Sequence, residues 1–218
     1  MIGWIRGAFG AAVVIAVVAG ATACTMSPTS TSTPSASASP TPTGTASPTV
    51  EIKLADGDLL DPNQTAAWAD PLKSAPGYTV DVVDDGSGSW SYTSDATGCT
   101  IGYWQGALTR LDASSDDSNL SDELLAAQFG TTTDQIAAFA KDDIAPFRTP
   151  SELVQTRAVA GADDESGTTY VIAARAFAAL NQGFVASLRC PADTNVAAVW
   201  SLLSSTPNAF QIVFTAKK

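Results

Sequence analysis

The chain has 218 residues, 22 of them acidic and 11 basic, with no histidine and a formal net charge of −11. The missing histidine excludes Ser-His-Asp triads and His-ligated metal centres. The scarcity of positive charge, with Lys217-Lys218 as the sole basic pair, excludes nucleic-acid binding by counterion release and electrostatic docking on anionic lipid.

The first 23 residues, MIGWIRGAFGAAVVIAVVAGATA, combine a charged n-region at Arg6, an apolar core from Gly7 to Gly20 and a small-x-small cleavage signature. With Cys24 directly after Ala21-Thr22-Ala23, this segment resembles a bacterial lipoprotein signal peptide, in which the cysteine is lipidated and becomes the new N-terminus. The resemblance implies that Cys24 carries lipid and holds the protein on the extracytoplasmic face of the cell membrane. Ala21 departs from the family pattern, which usually has a leucine-like residue there. An ordinary secretory peptidase would cut the same bond and leave Cys24 free, and an uncleaved anchor helix is the third reading, since the apolar run is near the lower limit for a span. Cysteine parity favours the lipid: three cysteines leave one over after pairing, and a free exposed thiol outside the cell is an oxidation liability.

Residues 25–49 contain only Ser, Thr, Pro, Ala, Gly and one Met, a composition that builds no core and reads as a disordered tether. It would span about 30 Å as a coil and up to about 75 Å as polyproline II. Leader and tether together resemble those of actinobacterial cell-envelope lipoproteins. Residues 50–218 then form one extracytoplasmic domain of sufficient size to bury a core.

Within that domain VEIKL (50–54) reads as a short strand and QTAAWADPLK as a short helix ended by Pro71. YTVDVVD (78–84) and SWSYTS (89–94) read as a hairpin around DGSG, and CTIGYWQGALTRL (99–111) as a long strand. Ser121 is expected to cap a helix with apolar Leu124, Leu125 and Phe129. Thr132 and Gln135, at capping-box spacing, open a second helix with Ile136, Phe139, Ala140 and Ile144 at helical spacing. SELVQTRAVAGA (151–162), TTYVIAARAFAAL (168–180) and GFVASLRC (183–190) read as antiparallel strands joined by DDESG and NQG turns. Asp193 or Thr194 is expected to cap a last helix striped by Val196, Val199, Trp200 and Leu203, and AFQIVF closes the chain as a strand. The order predicts an α+β fold: an antiparallel sheet of about five to seven strands with three helices packed on it and one disulfide. This element order, over about residues 78–205, also resembles the PsbP-like fold found in some actinobacterial lipoproteins, a resemblance that carries no catalytic residues.

Cys99 and Cys190, at a strand start and a strand end in an exported chain, are expected to form that disulfide. A cysteine nucleophile has no histidine to serve as its base. Gly-x-Ser-x-Gly, Ser-x-x-Lys and P-loop signatures are missing, so neither a catalytic residue nor a cofactor is assigned. Acid clusters at Asp56-Asp58-Asp61, Asp81-Asp84-Asp85, Asp112-Asp116-Asp117 and Asp163-Asp164-Glu165 lack calcium-loop spacing and read as solvated turns. The remaining signal is aromatic. Trp90 and Tyr92 share one face of a strand, and Trp104 shares a face with Gly102 and Gly106. Trp104, with Trp90 and Tyr92, is therefore a candidate binding platform for glycan or lipid, against the alternative that the indole fills core space left by the glycines. The function expected is a membrane-anchored binding or accessory module at the cell envelope, meeting cell-wall glycan, lipid or an envelope protein. A small envelope-directed hydrolase using paired carboxylates and a purely structural envelope protein are the alternatives.

Overall fold

The computed structural model describes residues 51–108, 116–142, 144–205 and 209–217, the side chain of Asp58 aside. The leader, Cys24, the tether and Asp112 lie outside them. In chain order the elements are β1 (Glu51–Ile52), β2 (Gln64–Trp68), β3 (Tyr78–Val82), β4 (Ser89–Ser94) and β5 (Thr100–Ala107), then helices α1 (Asp117–Phe129) and α2 (Thr133–Phe139). They continue with β6 (Lys141–Asp142), β7 (Phe147–Arg148), β8 (Leu153–Val154), β9 (Arg157–Asp163), β10 (Thr168–Phe177), β11 (Gln182–Pro191), α3 (Val196–Leu203) and β12 (Ile212–Ala216).

Seven strands form one sheet in the order β3-β4-β5-β11-β10-β9-β6, and every neighbouring pair in it is antiparallel. The fold is therefore α+β with three helices and an antiparallel sheet, as the element order predicts. The interior strand β10 is buried without interruption from Val171 to Phe177, because it is covered on both faces. Its side chains alternate between two cores. Val171, Ala173 and Phe177 join Cys99, Ile101, Tyr103, Phe184, Ala186 and Leu188 in a core capped by Trp200 and Leu203 of α3 and by the small strands β2, β7, β8 and β12. Ile172, Ala174 and Ala176 join Val185 in a second core under Leu120, Leu124, Leu125 and Ile136 of α1 and α2. The helices are thus divided between the two faces.

Cys99 and Cys190 are bonded, with Cα atoms 4.2 Å apart and a sequence separation of 91. Thr100 pairs with Arg189, so the bridge sits one step beyond the last registered pair of β5 and β11. It belongs to the α3-side core, where both cysteines are buried.

Several boundaries differ from expectation, each for a local reason. Gln64–Trp68 is a strand, followed by a 3-10 turn over Pro71–Ser74, where a short helix is expected. Pairing with β12 is reinforced by Gln182, whose side chain accepts from Ala66 N and donates to Ala66 O. Trp68 N likewise donates to Gln105 Oε1. These tertiary bonds outweigh the weak helix preference of an Ala-containing stretch. Helix α1 starts at Asp117, capped by Asp116, which accepts from Asn119 N at 2.8 Å. Ser121 is buried inside the helix, donating to Asp117 O and accepting from the β10 amide of Ala176 at 2.9 Å. Helix α2 has the expected Thr132–Gln135 capping box but ends at Phe139, and Lys141–Asp142 turns into the sheet edge, so Ile144 is not on the helix. Asn195, one residue after the expected caps, accepts from Ala198 N at the start of α3. The VEIKL strand is reduced to Glu51–Ile52, which pairs parallel with β8 outside the main sheet. The 151–162 strand divides into β8 and β9, the strand from Cys99 runs only to Ala107, and the last strand begins at Ile212 and pairs with β2.

Candidate functional site

Register decides where the predicted aromatics go. Trp90 pairs with Tyr103 and Tyr92 with Ile101, so both face the α3-side core. Trp90 stacks on Tyr103 with centroids 5.4 Å apart and planes 14° from parallel. Tyr92 is buried, meets Tyr103 edge-on at 6.1 Å, and donates its hydroxyl to Asp70 at 2.9 Å. Burial, then the bond to Asp70, pushes the Tyr92 phenol well above its ordinary range, so it remains a hydrogen-bond donor. Trp104 pairs with Ser89 on β4 and Val185 on β11 and faces the opposite side of the sheet. The three aromatics therefore do not form one surface; Trp90 and Tyr92 are packing residues on the side away from Trp104.

Trp104 lies flat along the sheet. A Cβ built on Gly106 would come 2.6 Å from the indole Cζ2, and one on Gly183 would come 3.1 Å from Cζ3. The glycines leave the shelf on which the ring rests, which is the geometry that the packing alternative requires. The ring is also partly exposed, while it packs against the α1-side core. Helix α1 covers β10 and reaches β9 and β11, while the same face over β4 and β5 presents small side chains.

Those side chains form a tile. Ser89, Ser91 and Thr93 alternate along β4; Trp104, Gly102 and Thr100 stand beside them on β5; Val185, Ser187 and Arg189 follow on β11. Ser187 Oγ leans across to Gly102, where an added Cβ would lie 2.5 Å from it. Ser91 Oγ donates to Asp81 Oδ2 at 3.0 Å on the β3 margin. On the far margin the Arg189 guanidinium stands 5.7 Å from the Tyr170 ring centre, and Tyr170 in turn meets Phe129 of α1 at 5.8 Å. Five hydroxyls, one indole and one guanidinium thus share one face of the sheet. An aromatic face beside convergent hydroxyls suits a ligand that has both an apolar ring face and polar edges. Sequence reasoning singles out Trp104 and misses Ser187 and Arg189. The signal that could find them is the polar half of the alternation in SWSYTS and in GFVASLRC.

No protein-family model matches the chain, and no curated protein matches it.

The acidic clusters supply turns and a cap, except that Asp117, expected in a solvated turn, is buried against Arg175. Asp61 accepts from Asn63 N, Asp84 from Gly86 N and Gly88 N, and Asp163 from Glu165 N and the Ser166 hydroxyl. The Ser87 hydroxyl and amide hold the Asp85 carboxyl below its usual range. Among the described residues no group of three or more His, Cys, Asp or Glu is placed to hold a metal ion. A concavity of about 280 Å³ lies at the start of α1 and is lined by Asp116, Asp117, Asp142 and Gln155 beside Leu54 and Ala55. Its carboxylates are engaged structurally: Asp116 caps α1, Asp142 accepts from Arg157 Nη1 at 2.7 Å, and Asp117 accepts from Arg175 Nη2 and Ala178 N, each at 2.8 Å. A glycosidase pair needs one carboxyl free to deliver a proton to the leaving group, and nothing in this arrangement marks one out.

Proposed function

We propose that the chain is a lipid-anchored extracytoplasmic module that binds glycan of the cell envelope through the Trp104 tile. Cys24 would carry the lipid, and residues 25–49 would serve as the spacer between membrane and domain. The observation that carries the binding reading is the partly exposed indole resting on Gly106 and Gly183 beside the partly exposed hydroxyls of Ser89, Thr93, Thr100 and Ser187, with Ser91 buried beneath them and engaged by Asp81. Glycan is favoured over an acyl chain because laying hydrocarbon across the four partly exposed hydroxyls would desolvate them without replacing their hydrogen bonds. A sugar offers an apolar ring face to the indole and hydroxyls to the floor.

The test is co-sedimentation of the full chain with isolated cell-wall glycan, alongside Trp104→Ala. Loss of the stacking face should weaken binding about tenfold. The melting temperature should fall less than it would for a fully buried tryptophan, whose truncation costs about 3–5 kcal/mol. Unchanged glycan binding in Trp104→Ala would refute the assignment.

A further inference from the structure

The two ends of the tile differ in charge. The β3 margin carries Asp81, engaged with Ser91. The β11 margin carries Arg189, exposed and held over the Tyr170 ring. Arg157 and Arg175 are fixed by carboxylates 2.7 and 2.8 Å away, whereas Arg189 makes no ion pair among the described residues. Asp163 on the β9–β10 hairpin feels its charge, but that carboxyl is held low chiefly by the Ser166 hydroxyl and only last by Arg189. An unpaired guanidinium on a chain of net charge −11 keeps its planar fork of donors available for a carboxylate.

Building on the glycan-binding reading, we infer that the ligand is an acidic glycan, a carboxylate-bearing polysaccharide whose sugar ring stacks on Trp104 and whose carboxylate is clasped by Arg189. The register sets the reach. At the backbone Arg189 stands four residues along β11 from Val185, the partner of Trp104, which is about 13 Å along the strand and about 4.8 Å across it, and its guanidinium over Tyr170 of β10 lengthens the span. That separation exceeds one sugar ring and fits a short run of linked rings, with the Ser187 hydroxyl between the two contacts and Thr100 beside Arg189. Asp81 at the opposite margin repels a carboxylate, so the ligand has one orientation on the tile.

The experiment repeats the binding measurement on the full chain with cell-wall glycan in two forms, carboxyls intact and carboxyls reduced to alcohols. In the wild-type chain, reduction should weaken binding about tenfold, the scale of one charge-assisted bidentate contact at an exposed site. Arg189→Gln should bind both forms alike, at the level of the wild type with reduced glycan. Arg189→Lys should retain part of the preference, because it keeps the charge and loses the fork. Binding that depends on Trp104 but is indifferent to carboxyl reduction and to Arg189→Gln overturns the acidic ligand and leaves the glycan-binding reading standing. Failure of Trp104→Ala to weaken either form overturns both. Arg189 is exposed, so its variants fold, and unaltered melting temperatures confirm that a binding loss is local.

Discussion

Arg175 faces the α3-side core beside Phe177, whose ring centre lies 4.8 Å from its guanidinium carbon, and it is wholly enclosed. Burying a guanidinium is costly; the cost is offset by Asp117 at 2.8 Å and by the carbonyls of Gln155 and Lys53 at 3.1 and 3.0 Å. Burial pulls Arg175 down to about 10, with Asp117 and then Asp56 opposing the shift, so it stays charged at neutral pH. The pair joins β10 to the first turn of α1 and to the chain just after β1. Removing one partner leaves the other charge buried and uncompensated. Asp117→Asn and Arg175→Met should each cost about 3–5 kcal/mol in urea unfolding. The double variant should cost clearly less than their sum, and strictly additive losses would count against this account. Nothing local in the sequence marks the pair, because its members are 58 residues apart and an Asp beside a helix start reads first as a cap.

At the level of elements, the alternation of apolar and polar residues makes the sheet legible. SWSYTS is a strand over the span the pattern gives it, the strand expected over 99–111 starts within a residue of its place and ends four residues short at Ala107, and the DDESG turn joins its strands as expected. What the pattern lacks is register. Trp90 and Trp104 are close in sequence and on neighbouring strands, and only the Trp90–Tyr103 pairing shows that they face opposite sides. Caps are the other weak point, since Asp116, Ser121, Asp193 and Asn195 are all competent by type and tertiary packing selects among them. At the free edge, β3 has a bulge between Val80 and Val82 with Asp84 and Asp85 just beyond it. Bulge and charge together discourage another strand from pairing there, although Val83 is 74% exposed. The Cys99–Cys190 bridge acts between elements that already pair, and its main contribution is to close a 91-residue loop in the unfolded chain, worth about 4 kcal/mol in the chain-entropy model. Thiol titration of the purified protein, denatured without reductant, should find neither of these cysteines free. Because both sulfurs are buried, mild reductant should act only as fast as the fold opens; detection of both thiols before reduction would refute the bridge.

For the whole molecule, the sheet is a partition. One face is closed by α3 and the small strands, the other is closed over β10 by α1 and α2, and the tile beside them is only partly open, with Ser91 and Val185 buried in it. In the proposed arrangement a chain beginning at Cys24 carries ten basic and 22 acidic residues, since Arg6 is the only charged residue before it; such a domain stays soluble and is held near a membrane by lipid rather than by surface charge. Cys24→Ala should release the protein into the medium and abolish fatty-acid labelling, and labelling that persists in this variant would sink the anchor. The bridge also bears on force. If the N-terminus is tethered and the tile grips a fixed polymer, tension enters the domain at β1, the two-residue strand beside β8. At most the segment from Glu51 to Cys99 can unspool, because the covalent bridge withholds the 91 residues beyond it, about 300 Å of contour at full stretch. Strands β5 and β11, which carry Trp104 and Arg189, both adjoin that bridge, so a pull that frays the membrane-proximal layer stops at the grip.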